Sequence, residues 1–458
     1  MLTRFVRRTA YAFAFQATFL LPAARAQVSA SDSAVRAWIT ARVDNGYATG
    51  IVVGFHDEGG DRIIAYGAGE RSGGPIGGDS YFEIGSITKV FTNILLADMV
   101  LRGEVALDDP VSKFLPPGVK MPSRSGKAIT LLDLATASSG LPSLPSNFTP
   151  KDPRNPYADY SVQQMYDFLS AHTLRRDPGA QYEYSNLGMG LLGHALSLRA
   201  GKPYEELLRE RVLLPLGMHD TFITIPESKR SRFAVPHTSD LEEELPWDLP
   251  TLAGAGALRS TTRDMLTFAD AVTHRSTGPL AKAIEFSIEP RRPTTSPDMR
   301  IALAWHVREK GGQRIVWHNG GTGGFRTFFG FDPATGANVM VWSNTSSSVD
   351  DIGLHLLDST VALRPTPPQP DVAVPVETLR SYIGDYPLAP TAVIAVTEQG
   401  GKLFVQLTNQ PRFRLWAESP TNFYLRVVPA KVTFERESAG VMTLTLDQGG
   451  HKQRAAKK

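Results

Sequence analysis

The chain has 458 residues, with 42% apolar and 21% charged side chains, a composition that fits a globular protein with a substantial core. Cysteine is absent, which excludes a thiol nucleophile, a thiolate metal site and a disulfide framework. The 48 basic and 46 acidic side chains nearly balance, with no long basic run, so nothing in the charge points to nucleic acid.

The chain opens with Arg4, Arg7 and Arg8, a charge-free stretch from Thr9 to Ala24, and Ala24-Arg25-Ala26. This is the pattern of a cleavable leader, cut after Ala26, and it predicts a periplasmic or secreted protein. The stretch is shorter than the ~20 apolar residues of a membrane span, and Gln16 and Pro22 interrupt it. A stable membrane anchor is therefore not expected. Loss of residues 1–26 removes four arginines and no acid, leaving 44 basic against 46 acidic groups.

Ala34 to Val43 reads as a short helix. Gly50 to Phe55 and Arg62 to Tyr66 are β-rich and flank Asp57-Glu58-Gly59-Gly60-Asp61, a hairpin signal. Phe82 to Val90 follows a glycine-rich stretch and leads into Phe91, Ile94, Leu95, Leu96, Met99, Val100 and Leu101, apolar on nearly every face. Such a helix is buried. Ser86 falls in its first turn and Lys89 one turn on, on the same face. Gly103 is a stop. A lysine early on a buried helix is opposed by dipole and desolvation, so it yields its proton readily and can serve as base to the serine. The plain alternative is a capping serine followed by a surface lysine. It sits poorly with a helix that has no solvated face.

Ile129 to Ala137 reads as a short helix with Thr130 as its cap. Pro142 to Tyr160 reads as a long loop, and helices follow over Ser161–His172, Leu187–Ala200, Tyr204–Leu214 and Thr261–Thr273. Strand character returns at Ile301–Val307, Arg314–Trp317, Phe325–Phe331 and Ala337–Ser343. Strands at both ends and helices between predict an α+β fold: an antiparallel sheet flanked by helices, with a mostly helical subdomain. The expected layout is a leader at 1–26, a main domain at 27–363, a Pro-rich linker at 364–375 and a small antiparallel all-β domain at 376–458. The basic ending from His451 reads as a frayed tail.

Two further segments carry chemistry. Tyr184-Ser185-Asn186 precedes the helix at Leu187. Beside a cation, the Tyr184 phenol would lose its proton more readily and could pass protons to a leaving group. Asn186 offers an amide to a substrate carbonyl. His318-Asn319-Gly320-Gly321-Thr322-Gly323-Gly324 follows the strand Ile315-Val316-Trp317. As a phosphate loop it fails, since no G-K-[ST] ending or helix follows. Glycines beside a strand let a substrate backbone approach, and a backbone N–H there could join that of Ser86 in an oxyanion hole.

Taken together, Ser-x-x-Lys, Tyr-x-Asn and His-x-Gly in this order resemble the class C β-lactamase and penicillin-binding protein family, which includes D-Ala-D-Ala carboxypeptidases and related esterases. Leu107-Asp108-Asp109-Pro110-Val111, Leu131 to Thr136, Ser139-Gly140-Leu141-Pro142, Pro215-Leu216-Gly217-Met218 and Gly256-Ala257-Leu258 extend the likeness from about residue 30 to 360. The C-terminal segment resembles a β domain often appended to such hydrolases. The resemblance implies Ser86 as nucleophile, Lys89 and Tyr184 as its acid–base partners, and the N–H groups of Ser86 and Gly321 as the oxyanion hole. It implies Asn186 and His318 as substrate contacts, with no metal and no cofactor. Expected substrates are β-lactams or D-Ala-D-Ala peptides; the alternatives are a carboxylesterase and a penicillin- or peptidoglycan-sensing protein. His318 departs from the lysine usual in class C β-lactamases, and Ala137 stands where many relatives have histidine. Oligomeric state is left open.

Overall fold

A computed structural model describes residue 28 and residues 30–458, apart from 58, 274–277 and 279. The expected leader at 1–26 lies outside the described residues. The first sheet has eight antiparallel strands. In spatial order they are Gly60–Gly67, Gly50–Asp57, Asn338–Ser343, Arg326–Phe331, Gln313–Gly321, His306–Lys310, Met299–Ile301 and Arg292–Pro293. The N-terminal hairpin is thus paired to the late strand, Ile51 opposite Ser343 and Phe55 opposite Val339, and the sheet is built from both ends of the domain. The α+β expectation holds. Asp32–Asp44, capped by Ser31, and Asp350–Leu357 pack on one face of this sheet. The other face packs on the helical centre.

The helix at the heart of that centre is Thr88–Leu101, in which every residue from Thr88 to Met99 is buried. Fully burying a Leu, Ile or Phe side chain contributes ~1.5–3 kcal/mol, and this helix buries Phe91, Ile94, Leu95 and Leu96 at once. It continues Gly103 into the left-handed region at φ +71, the expected stop. Thr130 and Ser161 cap Leu131–Ala135 and Val162–Ala171 with reciprocal capping boxes, as their side-chain chemistry directs. Asn186–Ala200 and Ala253–Gly256 complete the layer around the serine helix.

One strand expectation is revised. Ile301–Val307 is not continuous: Ala302 to Trp305 leave the sheet, with Ala304 at φ +65. The freed backbone is still paired, Leu303 N donating to Ser287 O and Ala304 N to Ala135 O. This excursion hands the chain back to the sheet at His306.

The second sheet is an eight-stranded antiparallel meander running from Gly384–Ala389 to His451–Ala456 in chain order. It nearly closes on itself, with Lys458 N donating to Asp385 O. Tyr382, Tyr386, Phe423 and Phe434 fill it, Tyr382 stacked on Phe434 at 4.2 Å. The basic ending is therefore no frayed tail. His451–Ala456 pairs along Met442–Gln448 and is the closing strand. Residues 364–375 carry no helix or strand and are held to both sides: Asn45 donates to Thr366 O, and Tyr424 OH to Pro370 O.

The two sheets meet at residues 237–248. Asp240 Oδ1 accepts from Trp416 Nε1 at 3.2 Å, and Glu242 accepts from Lys402 at 2.7 Å. The Trp416 ring lies between the guanidinium groups of Arg414 and Arg426. Among the described residues, no helix is long and apolar enough to cross a membrane.

Candidate active site

Three distant segments converge around Ser86. The first is the turn Gly85–Ile87, which leads directly into Thr88–Leu101. Gly85 takes φ +51, and a Cβ there would sit 2.7 Å from Gly321 N. A Cβ on Gly320 would sit 2.0 Å from Ile84 O. Only glycine permits these approaches, and they bring the backbone ahead of Ser86 into contact with the strand Gln313–Gly321. Thr327 Oγ1 donates to Ile84 O at 3.0 Å and fixes the same turn.

The second segment is Tyr184-Ser185-Asn186. Ser185 Oγ accepts from Gly188 N at 2.8 Å and donates to Pro142 O at 2.6 Å. The cap therefore pins the helix start, with Tyr184 just before it and Asn186 just inside it. Glu183 N donates to Ala137 O at 2.7 Å, so Ala137, itself at φ +49, holds the approach to Tyr184.

The contacts are close. Lys89 Nζ lies 2.8 Å from Ser86 Oγ, 2.8 Å from Asn186 Oδ1 and 2.6 Å from Ala255 O. Tyr184 OH lies 2.6 Å from Ser86 Oγ. The Lys89 amine is 4.8 Å from the centre of the Tyr184 ring. Ser86 remains partly exposed, whereas Lys89 is 2% exposed.

Electrostatics assign the protons. Burial holds the Lys89 amine well below the ordinary lysine range. Burial also raises the Tyr184 phenol, more than its bond to Ser86 lowers it. This corrects the expectation of an acidified phenol: desolvation of the phenolate outweighs a neighbour that is itself pushed toward neutrality. The Lys89 amine donates to Asn186 Oδ1, to Ala255 O and to Ser86 Oγ, and Ser86 Oγ also accepts from Tyr184 OH.

Asn186 is engaged at both ends. Its Oδ1 accepts from Lys89 and its Nδ2 donates to Tyr157 OH at 3.2 Å. Its observed place is thus a brace between Lys89 and the loop over residues 142–160. His318 lies on the sheet face turned to the serine helix, its ring 6.5 Å from that of Tyr184 and stacked on His306 at 5.1 Å. His306 Nε2 lies 3.3 Å from Tyr182 OH. Burial lowers His306 to about 4 and His318 well below the usual histidine value, so both rings are neutral near pH 7. Arg326, cross-strand from Gly321, shares the opposite face with Asn319.

Sequence reasoning missed Tyr157, His306 and the Ala255 carbonyl. Tyr157 carries no pattern within an aperiodic loop. His306 reaches the site only through the break at Ala302–Trp305. Ala255 acts through its backbone, which no side-chain pattern can signal.

Comparison with known proteins places this geometry in a family. The sequence model of the Beta-lactamase family matches residues 35–362. The chain belongs to the β-lactamase family. A domain of unknown function, DUF3471, matches residues 368–457, the closed C-terminal meander. The chain is 30% identical over 302 residues to the D-alanyl-D-alanine-carboxypeptidase/endopeptidase AmpH of Escherichia coli K12, covering 61% of this chain and 77% of that one. It is 24% identical over 413 residues to penicillin-binding protein 4* of Bacillus subtilis, covering 84% and 89%. Among solved structures, a β-lactamase/D-alanine carboxypeptidase from Yersinia pestis superposes with a TM-score of 0.60 at 26% identity, over 72% of this chain and 98% of that one. A class C β-lactamase with a TM-score of 0.63 at 20% identity, over 73% and 97%, shows the same fold. This family member is a serine hydrolase of the β-lactamase and D-alanine carboxypeptidase kind.

Proposed function

We propose that this hydrolase cleaves acyl bonds of D-alanyl peptides, β-lactams or short esters through a covalent acyl-enzyme on Ser86. The observation that carries the proposal is the junction at Ser86 Oγ, within 2.8 Å of the Lys89 amine and 2.6 Å of the Tyr184 phenol. Ser86 Oγ attacks the acyl carbon and passes its proton to Lys89 Nζ. The N–H groups of Ser86 and Gly321 stabilise the oxyanion. As the carbonyl re-forms, Tyr184 gives its proton to the departing nitrogen or oxygen. Water then attacks the acyl-enzyme: the Tyr184 phenolate takes the proton of that water, and Lys89 returns its own to Ser86 Oγ. Each group ends as it began, so the cycle needs no metal or cofactor.

The leader pattern at 1–26 supports a periplasmic or secreted site of action for the same chemistry. Hydrolysis of a chromogenic cephalosporin, a 4-nitrophenyl ester and a D-Ala-D-Ala peptide tests the reading. Turnover of at least one of the three is expected. Acylation without release would indicate a sensor instead, and no reaction with any of them would contradict the proposal.

A further inference from the structure

The C-terminal meander reaches the site through one segment. Residues 237–248 form neither a helix nor a strand of their own, so tertiary contacts set their path. The segment is held at three places. At its start, His237 bridges to Thr345, and His237 N donates to Gly324 O and Asn344 O. At its end, Trp247 N donates at 2.9 Å to Oε1 of Glu83, three residues ahead of Ser86, and Arg259 donates to Trp247 O at 2.7 Å. In the middle, the partners come from the meander. Asp240 is 6% exposed, and among the described residues its carboxylate accepts from the meander alone, Oδ1 from Trp416 Nε1 at 3.2 Å and Oδ2 from Arg414 N at 3.4 Å. Glu242 Oε1 accepts from Lys402 Nζ at 2.7 Å and from Arg414 Nη1 at 3.3 Å. Leu241, between the two acids, sits at φ +59, a left-handed conformation that costs a leucine free energy and persists where its surroundings enforce it. A buried carboxylate stripped of its partners is costly, so the meander keeps Asp240 where it is.

The same segment brings Trp247 to the site. Its ring lies 5.3 Å from that of Tyr157, whose hydroxyl accepts from Asn186, and a Cβ on Gly323 would sit 2.8 Å from its Nε1. Trp247 thus spans from the Asn186 brace to the turn that follows Gly321. With Tyr184 serving the leaving group, and the N–H groups of Ser86 and Gly321 holding the carbonyl oxygen, the acyl chain of a substrate runs along Gly321–Gly323, where Trp247 stands. Trp247 is partly exposed, and its ring offers that chain an apolar face.

We infer that the C-terminal meander is a positioning domain for the acyl chain: through Trp416, Arg414 and Lys402 it fixes the path of residues 237–248, and through them the place of Trp247. Bond cleavage itself stays with Ser86, Lys89 and Tyr184. Loosening the joint therefore weakens the seating of a bulky acyl chain and leaves the chemical step as it was. This inference rests on Ser86 being the nucleophile.

The test uses the full-length protein carrying Lys402→Met and Trp416→Phe, which remove an ammonium and an indole N–H and keep most of the side-chain volume. With 4-nitrophenyl phenylacetate, KM is expected to rise about threefold or more while kcat stays within about twofold. With 4-nitrophenyl acetate, whose acyl chain ends at a methyl group, both constants are expected to stay. Equal changes on both esters, or none on either, would overturn the inference, since a general loss of folded protein scales both alike. Lys402→Met alone, at a partly exposed position, carries the same expectation should the double variant not fold. Trp247→Ala is expected to raise KM for the phenylacetate by itself and to leave the meander substitutions nothing further to change. Additive losses would overturn the route through Trp247. Amide hydrogen exchange reads the joint without substrate: exchange across residues 237–248 is expected to quicken by about threefold or more, with Thr88–Leu101 at its native rate. Unchanged exchange at 237–248 would also overturn the inference. Ser86→Ala separates the two readings. If it is inactive and the joint variant behaves as the native protein, only the positioning role fails. If it keeps native rates, the nucleophile assignment fails and the inference falls with it, and a native protein inert to both esters would likewise overturn the inference.

Discussion

Ser86→Ala is expected to lower kcat/KM by ~10³-fold or more on any substrate the protein turns over, with folding unaffected. Among the described residues, the Ser86 hydroxyl is the one group hydrogen-bonded to both the Lys89 amine and the Tyr184 phenol. Its removal leaves two acid–base groups with nothing to activate. The substitution deletes one oxygen at a partly exposed position, and the turn that carries it is held by Gly85, Gly320 and Thr327 rather than by the hydroxyl. Steady-state kinetics alongside thermal unfolding check the prediction. Retained activity with an unchanged unfolding temperature would remove Ser86 from the chemistry.

Changing Lys89 and Tyr184 is expected to remove opposite limbs of the pH profile. Burial holds Lys89 below its ordinary range and Tyr184 above its own. If the two groups act as proposed, an acid limb from protonation of Lys89 is expected in kcat/KM, with any alkaline limb from Tyr184 shifted above the ordinary tyrosine range by its burial. His306, lowered to about 4, and His318, lower than usual, take no part in the neutral range. Lys89→Met should lose ~10²–10⁴-fold and abolish the acid limb. Tyr184→Phe should lose a similar ~10²–10⁴-fold, keep the acid limb and abolish the alkaline one. A profile in which both variants keep both limbs would show that neither group moves the proton.

The same shift makes a statement about stability. The folded-state pKa of Lys89 lies below its unfolded value, so between the two the unfolded chain binds a proton that the folded chain does not. Stability then rises with pH across that window, and this contribution is flat below it. Lys89→Met removes that slope, which thermal unfolding across the alkaline range would reveal.

Much of this was legible in the residues because local chemistry and global position agreed. Ser86 and Lys89 stood out because the helix from Thr88 has no solvated face to receive a lysine, and the structure buries it throughout. The hairpin at Gly50–Gly67 and the cap at Thr130 followed from turn and cap chemistry alone. Other features depend on tertiary surroundings. The closing strand His451–Ala456 lacks apolar alternation, since pairing with Met442–Gln448 forms it rather than a buried face; of its six residues only Ala455 is buried. The direction of the Tyr184 shift turned on burial, which no motif reports. Asn186, which reads as a free amide in Tyr-x-Asn, is held at both ends by Lys89 and Tyr157.

The loop over residues 142–160 shows the same limit. Its lack of pattern marked it as a loop, but only the fold sets Tyr157 against Asn186 and against the Trp247 ring at 5.3 Å. Residues 237–248, which carry Trp247, also receive Trp416 and Lys402 from the C-terminal meander. The appended domain thus touches the segment that walls the site, a link between distant parts of the chain that sequence order conceals.

Mass spectrometry of the intact protein during turnover tests the account most directly. With a slowly released β-lactam or 4-nitrophenyl ester, the protein should gain the mass of the acyl group, and digestion should place it on the peptide containing Ser86. A label on any other residue, or the same label on Ser86→Ala, would contradict it.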